Sequence, residues 1–384
     1  MKIGLITFSR AKNYGGILQA YALYSYLQEL GHDVFFIDYI MERSNIYQPK
    51  IYVDYATQRS KIWGKNTITR AIWRQLFFKK IKTDYLRFSD FIEKECNFSR
   101  KYFSFEELQK EPPQADLYIV GSDQVWNSEY APKKELELPF YLPFVRGNKI
   151  SYASSFGRED IPEKHKQKVR KMLQLFSSLS VREESGKKIL KELGLNSTVV
   201  LDPTMLFTRE FWSLKTDERR LMDEPYMLLY QVRFDADIYR TAKAFARYLG
   251  YKMIIITANR TDCRKYNQEV LISPKVETWL SAIKNAQFVY TDSFHATVFS
   301  LLFHTQFVVN SGSRKNMASR ITTLLKLAGL ENLEMRDFNI DGGLCKIKED
   351  IDWSKVDERI RVSREFSETW LRTAIEKAEE DGVR

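Results

Sequence analysis

The histidine at position 295 lies at a junction that favours proton-transfer chemistry. The chain has only four histidines, and this one occurs in "YTDSFHATVFSLLF", where a β-like run gives way to an apolar helix. Ligands of parallel sheets bind beyond the carboxyl ends of the strands. Asp292 or Ser293 would cap this helix, whose first-turn N–H groups favour an anion. His295 is therefore predicted to face a cleft as an acid or base; the alternative is a structural histidine near a helix start.

Basic residues occur at two further junctions. Arg182 follows the strand-like run in "SLSVREES", where its guanidinium would clamp a carboxylate or phosphate at two points. A surface arginine paired with Glu183 or Glu184 fits the pattern equally well. Three bases flank the start of a helix in "NSGSRKNMASRITTLL", where they would attract the same anion or merely line a solvated loop: Arg314, Lys315 and Arg320.

Two loops in the N-terminal half carry groups suited to a sugar. The loop "SRAKNYGGILQ" has two glycines that let the backbone approach a ligand, but it lacks the G-x-G-x-x-G pattern of dinucleotide sites. The loop "VGSDQVWN" combines an indole with amide and carboxylate groups, which would form a sugar platform or, alternatively, pack between domains. The residues expected near an acceptor are Asn13, Tyr14, Gly15, Gly16 and Gln19 in the first loop and Asp123, Gln124, Trp126 and Asn127 in the second.

Strand-like and helix-like segments alternate along most of the chain and predict an α/β fold. The first three segments, "KIGLITF", "YGGILQAYALYSYLQELG" and "DVFFIDY", form the β-loop-α-β unit that opens a doubly wound domain. The pattern begins again after Asp202 and Pro203. We predict two Rossmann-like doubly wound domains, residues 1–203 and 204–350, facing a cleft in a GT-B-like arrangement. Residues 351–384 form a charged helical segment that would pack back on the first domain.

The first domain contains an insertion, residues 41–110, with a basic and aromatic segment at residues 59–82. This segment has eight basic residues and no acidic residue. One helical face would carry Ile72, Trp73, Leu76, Phe77 and Ile81. Such a helix would lie on an anionic membrane surface. Alternatively, the same face packs on the domain and the bases face water.

Composition excludes several classes of protein. The 384 residues are 44% hydrophobic and 29% charged, as in globular proteins, and no apolar run is long enough to span a membrane. Three widely spaced cysteines and scattered histidines predict neither a disulfide framework nor a metal site. The net charge of +10 favours an anionic partner, but nucleic-acid-binding motifs are absent from the sequence. Without a signal-peptide pattern, we expect a cytoplasmic protein.

Seven short motifs, taken in order, resemble those of the polysaccharide pyruvyl transferase family: "NYGGILQAYAL", "VGSDQVWN", "SYASSFG", "SVREES", "LDPTML", "TDSFHATVFSLLF" and "SRITTLLKLAGL". The resemblance covers most of residues 1–330. It implies a GT-B-like enzyme, without a cofactor, that transfers the pyruvyl unit of phosphoenolpyruvate to a sugar as a ketal and releases phosphate. The acceptor would be a galactose-type residue of a cell-surface polysaccharide repeat. If that repeat is lipid-linked, residues 59–82 would dock the enzyme at the inner face of the cell membrane.

The resemblance also assigns roles to particular residues. His295 corresponds to a histidine thought to act as acid or base, and Arg182 to an arginine thought to hold phosphoenolpyruvate. Many members have an arginine two residues before that histidine, in an R-L-H triplet. Here Ser293 and Phe294 stand in the triplet and would line the donor site. The missing anion contact would be replaced by one of the three bases near the later helix, Arg314, Lys315 or Arg320.

Two other functions fit parts of the pattern. A GT-B glycosyltransferase would hold the diphosphate of a nucleotide-sugar at the helix that starts near Ser293. A non-catalytic glycan-binding protein would explain why the arginine of the triplet is missing.

Overall fold

The structure is a computed structural model of the chain, and it describes residues 1–58, 60–130, 135–218, 220–260, 262–312 and 318–383. It contains two α/β domains, each built on a parallel sheet with helices packed on its faces. The predicted fold class is therefore confirmed.

The first domain is built on a sheet to which the described chain contributes seven strands, all paired in parallel. The strands are Lys2–Ile6 (β1), Asp33–Tyr39 (β2), Phe98–Tyr102 (β3), Leu117–Val120 (β4), Asn148–Ser154 (β5), Ser178–Val181 (β6) and Thr198–Val199 (β7). Their order is β3-β2-β1-β4-β5-β6-β7. The strand order reverses between β1 and β4, and ligands of doubly wound sheets bind at such a reversal.

The second domain repeats this plan with six strands of the described chain. They are Tyr226–Tyr230 (β8), Lys252–Thr257 (β9), Leu271–Ile272 (β10), Phe288–Thr291 (β11), Phe307–Asn310 (β12) and Glu334–Met335 (β13). The order β10-β9-β8-β11-β12-β13 reverses between β8 and β11. The loop after β11, which leads to His295, therefore lies at the second reversal.

Helices connect these strands. Those before β8 are Tyr14–Glu29 (α1), Pro49–Thr57 (α2), Thr67–Trp73 (α3), Lys79–Glu93 (α4), Phe105–Lys110 (α5), Glu163–Leu173 (α6), Glu184–Glu192 (α7) and Arg209–Ser213 (α8). The later ones are Ala236–Leu249 (α9), Val276–Lys284 (α10), Phe294–Phe303 (α11), Ala318–Ala328 (α12), Ile340–Ile347 (α13) and Trp353–Val383 (α14). None of these helices is both long enough and apolar enough to cross a membrane.

Two helices, α1 and α11, meet where the domains contact each other. All ten residues of α11 are buried, and α1 is buried along nearly its whole length. Both sequences are apolar on almost every side, which only an interior position can satisfy. The Tyr14 ring stacks on Trp279 of α10, with centroids 4.9 Å apart, and one apolar core runs through both domains. The first turns of α1 and α11 are consequently held face to face.

The last helix returns to the first domain. From α14, the Ser367 hydroxyl accepts a hydrogen bond from the Leu201 N–H (3.0 Å), and Arg364 donates to the Met205 carbonyl (2.7 Å). Further along, α14 packs on β5. This helix therefore braces the crossing between the domains beside the loop that follows β7.

Candidate functional site

His295 lies in the first turn of α11, between the two domains. Ser293 caps the helix, with its hydroxyl accepting from the Ala296 N–H at 3.3 Å, whereas Asp292 turns aside to accept from Val232. The imidazole faces Gly15 in the first turn of α1, and a Cβ atom at that glycine would lie only 1.9 Å from His295 Nδ1. The predicted position beyond a strand's carboxyl end is thus where the structure places His295.

Asp202 lies on the other side of the imidazole. Its Oδ2 atom is 3.5 Å from His295 Nε2, a distance that supports a charge interaction but is too long for a strong hydrogen bond. Thr204 holds the other carboxylate oxygen through its hydroxyl (2.7 Å) and its N–H (3.1 Å), and Ser122 donates to Oδ2 at 3.0 Å. The carboxylate is therefore fixed in one orientation toward His295.

The charge on Asp202 is stabilised by its surroundings. Burial alone would raise the pKa of this carboxyl, but His295, Arg182 and the bonds from Thr204 outweigh burial, and the pKa lies far below its usual range. Asp202 is consequently an anion at neutral pH. An anion beside an imidazole orients the ring.

Arg182 occupies the centre of a buried group of carboxylates. Its guanidinium donates to Asp202 Oδ2 at 3.0 Å and to Asp123 Oδ1 at 3.2 Å, and its Nε is 3.6 Å from Glu183 Oε2. The side chain is fully buried. Arg182 is therefore not a surface residue, although it does lie beside Glu183, and its contact with a donor anion stays a prediction. It organises the carboxylates that surround it.

The pKa values of Asp123 and Glu183 are shifted in opposite directions. Burial would raise the pKa of Asp123, but Arg182, His295 and Arg320 lower it overall. Burial raises the pKa of Glu183 above its usual value despite the nearby Arg182, and its Oε1 accepts from the Ser155 hydroxyl at 2.6 Å. Across the described residues, no group of three or more His, Cys, Asp and Glu side chains has an arrangement that could hold a metal ion.

Arg320, on α12, is the predicted anion contact that the structure places at this site. Its guanidinium carbon is 5.8 Å from the centroid of the Phe294 ring, and that of Arg182 is 4.8 Å from the same ring. Phe294 therefore contacts two cations. Arg314 and Lys315, the other two predicted substitutes, lie outside the described residues.

A cavity of about 290 Å³ adjoins this cluster. Arg182, Asp202 and Arg320 supply its charged lining, and the rest of the wall comes from β7, the segment that follows it, Phe294, α12 and α14. A wider cavity of about 970 Å³ lies between the domains, bordered by Glu159 and Glu184 of the first domain and by residues of α12. The two cavities share lining residues, so a ligand group in one borders the other.

Several residues expected to contact an acceptor have packing roles instead. Tyr14 is fully buried between the domains, where its hydroxyl donates to the Pro274 carbonyl at 2.9 Å. Gln19 is also fully buried and donates to Thr7. Trp126 packs in the core of the first domain, and its indole N–H donates to the Phe140 carbonyl at 3.0 Å. Aromatic and amide side chains near a loop give the same sequence signal whether they face solvent or the core.

The remaining predicted residues lie around the same junction. Asn13 caps α1, because its side chain accepts a hydrogen bond from the Gly16 N–H. Gly16 also lies beside Asp123, whose Oδ2 atom would be 3.4 Å from a Cβ atom at Gly16. The amides of Gln124 and Asn127 bond to each other at 2.8 Å. Of the residues in the two N-terminal loops, Gly15, Gly16 and Asp123 therefore lie next to His295 and the charged residues around it. Asp202 was missed, although its position shortly after β7 and before a proline was a usable signal.

Two solved structures resemble the chain over almost its whole length. The UDP-N-acetylglucosamine 2-epimerase from Rickettsia bellii has a TM-score of 0.52 at 13% identity, covering 99% of this chain and 97% of that one. A putative UDP-N-acetylglucosamine 2-epimerase from Listeria monocytogenes has a TM-score of 0.53 at 10% identity with the same coverage. At such identities the likeness concerns the fold alone, and it confirms the GT-B-like arrangement of the domains. Curated protein sequences include no match to the chain.

One protein family, in contrast, matches at the level of sequence. The family model for polysaccharide pyruvyl transferase covers residues 13–312. That span starts at the cap of α1 and contains Arg182, Asp202 and His295, so it crosses both domains and the cluster between them. The chain therefore belongs to the polysaccharide pyruvyl transferase family.

Proposed function

We propose that the protein transfers the pyruvyl unit of phosphoenolpyruvate to a sugar as a ketal and releases phosphate. The observation that carries this proposal is the pairing of His295 with Asp202, an anion at neutral pH, beside buried guanidinium groups. The reaction needs a proton donor and acceptor next to an anion site, and membership of the family supports a transferase.

The donor would bind where the positive groups converge. Arg320 and the first-turn N–H groups of α11 are suited to a compact polyanion. Arg182 is a positioning residue in this scheme, because its donors hold Asp123 and Asp202. Asp202 in turn orients the imidazole of His295. Arg314 and Lys315 remain predicted donor contacts from the sequence.

The chemistry requires one proton to be given and others to be removed. Protonated His295 would deliver its proton to the methylene carbon of phosphoenolpyruvate, which leaves an oxocarbenium-like centre at the neighbouring carbon. A sugar hydroxyl adds there and loses its proton to the imidazole. Cleavage of the carbon–oxygen bond then releases phosphate with the bonding electrons, and a second hydroxyl closes the ketal and gives its proton to the departing phosphate. Acid–base catalysis of this kind contributes on the order of a hundred- to ten-thousand-fold.

Access to His295 requires the contact between α1 and α11 to open. Only 8% of its side chain is exposed, because Gly15 covers one side and Asp202 the other. The acceptor would enter through the wider cavity between the domains, where Glu159 and Glu184 offer acceptors for sugar hydroxyls. A galactose-type residue of a lipid-linked repeat unit in exopolysaccharide or capsule synthesis is the acceptor we propose, in the cytoplasm at the inner face of the membrane.

The test is an assay with phosphoenolpyruvate and a panel of galactosides and lipid-linked oligosaccharides. Acceptor-dependent phosphate release, with a gain of one pyruvyl unit in the mass of the sugar, is the expected result. Transfer from a nucleotide-sugar alone would identify a glycosyltransferase. Saccharide binding without turnover of either donor would identify a glycan-binding protein. Either of these results would refute the proposal.

A further inference from the structure

The insertion between β2 and β3 exposes a group of large apolar side chains. Ile62 and Ile68 are 69% and 70% exposed, and Leu76 is 55% exposed. Ile72 and Phe77 are also exposed. Isolated apolar residues on a surface are ordinary, but a contiguous group marks an interaction site.

The local helix geometry explains why these residues face outward. A π-helical turn at Arg74–Phe78 joins α3 to α4. Ile68, Ile72 and Leu76 follow at intervals of four and share one side, whereas Trp73 and Ile81 pack inward on the small core around Tyr52. The sequence prediction placed Ile72, Trp73, Leu76, Phe77 and Ile81 on a single face. The wider π turn shifts the phase of the helix and splits them between core and surface.

Basic residues surround the exposed apolar group. Between residues 60 and 82 the sequence has no acidic residue. Arg70 turns back to Asp54 at 2.9 Å, while the other bases of this stretch are exposed: Lys61, Lys65, Arg74, Lys79, Lys80 and Lys82. We call this combination of six bases with Ile62, Ile68, Ile72, Leu76 and Phe77 the basic-apolar surface.

We propose that the basic-apolar surface docks the protein on an anionic phospholipid bilayer. The apolar side chains would insert at the level of the headgroups, and the bases would contact lipid phosphates. Charge complementarity selects this occupant. A second copy of the chain has the same net charge of +10 and would place its own six bases opposite these six, so the two surfaces would repel each other. An anionic bilayer supplies both the apolar phase and the opposite charge.

The basic-apolar surface is fixed relative to both domains through α4. Asp84 on this helix is fully buried and binds Arg260 of the second domain through two bonds, 2.9 and 2.5 Å long. Lys12 of the first domain lies 3.4 Å from the same carboxylate. Arg87 donates to the carbonyl of Ser273, also in the second domain, at 3.0 Å. Docking through this surface would therefore orient the cleft with respect to the bilayer.

The proposal can be tested by sedimentation of the full chain with vesicles. Vesicles of phosphatidylcholine are compared with vesicles in which about a third of the lipid is phosphatidylglycerol. We expect binding to the anionic vesicles that weakens as salt is added, because exposed charges are screened. Equal binding to both kinds of vesicle, or binding to neither, would overturn the proposal.

Two pairs of substitutions localise the binding. The double variant Ile68→Asp, Ile72→Asp is expected to weaken binding at least about tenfold, since two apolar insertions are lost. Its control carries aspartate at Leu175 and Leu214, which are 61% and 84% exposed elsewhere, and should bind as the parent does. Similarly, Lys79→Glu with Lys80→Glu should weaken binding at least about twentyfold.

The control for the lysine pair is Lys187→Glu with Lys188→Glu, an equally adjacent and exposed pair on α7. All substituted residues are exposed, so circular dichroism and thermal unfolding should match the parent. If the variants at residues 68, 72, 79 and 80 bind vesicles like their controls, the proposal fails. If they change the oligomeric state without changing vesicle binding, the surface is an interface between copies. This test does not depend on the proposed pyruvyl transfer.

Discussion

Gly15→Ala places a methyl group against the imidazole of His295, the proposed acid and base. The new Cβ would lie 1.9 Å from His295 Nδ1, whereas ordinary van der Waals contact begins near 3.4 Å. The difference, 3.4 minus 1.9, requires the imidazole and α1 to separate by about 1.5 Å. Misplacement of a catalytic group by about 1 Å can cost on the order of a hundredfold in rate. We therefore expect turnover to fall by roughly that factor.

The effect on stability should be smaller than the effect on turnover. Overpacking costs about 1–3 kcal/mol, and replacing glycine by alanine within a helix returns about 1 kcal/mol. The variant should therefore stay folded, with a loss of about 2 kcal/mol at most.

Gly16→Ala is a matched control in the same helical turn. The nearest atoms to its Cβ, in Ala11 and Asp123, would be at an ordinary 3.4 Å. Acceptor-dependent phosphate release measures turnover, and the ring signals of only four histidines allow the imidazole of His295 to be followed by NMR. Gly15→Ala should shift that ring signal and Gly16→Ala should not. Equal activity and equal spectra for the two variants would refute the described packing of Gly15 on His295.

Three further predictions concern the charged cluster. Asp202→Asn leaves Arg182 with one partner fewer, so urea unfolding should show a loss of about 3 kcal/mol at neutral pH, with slower turnover. In the parent protein, the lowered pKa of Asp202 stabilises the fold at every pH above about 4, and this stabilisation is lost as the pH falls toward the pKa that Asp202 has in the folded protein. The free energy of unfolding of the Asp202→Asn protein should therefore depend less on pH between about 2 and 5 than that of the parent. Arg320→Ala should raise the KM for phosphoenolpyruvate more than tenfold, whereas Arg247→Ala, at an exposed position on α9, should leave it unchanged. An unaltered pH profile in the first variant, or an unaltered KM in the second, would contradict these assignments.

The parts of the site that follow from local pattern were predictable from the sequence. A β-like run followed by a capping serine and an apolar helix placed His295 at the end of β11. The periodicity of apolar residues along the sequence predicts both the strand and the helix, and it therefore also predicts where they join. The alternation of such segments likewise predicted the two α/β domains.

The partners of Arg182 were not predictable in the same way. Asp123 and Asp202 are separated by about 80 residues in sequence, and each follows a different strand of the first sheet. Only the strand order brings their carboxylates to one guanidinium. Local pattern could show that Arg182 followed a strand, but not whether it faced solvent, a ligand or three carboxylates. Burial decides this, and burial is a property of the assembled fold.

The burial of Tyr14 and Trp126 could not be predicted, for a similar reason. Tyr14 and Trp126 lie in glycine-containing loops, and both were expected near the acceptor, Trp126 as a sugar platform. Their rings instead fill apolar space, and each polar tip finds a backbone carbonyl. An amphipathic side chain satisfies both environments equally well, so its sequence neighbours do not distinguish them.

The most direct test of the central claim compares His295→Ala with His32→Ala in the reaction of phosphoenolpyruvate with an accepted sugar. If His295 gives and takes the protons, its replacement should lower acceptor-dependent phosphate release at least about a hundredfold while the protein stays folded and still binds phosphoenolpyruvate. The His32→Ala protein, changed at a position after α1 and away from the cluster, should retain parental turnover. Parental turnover in His295→Ala would contradict the account.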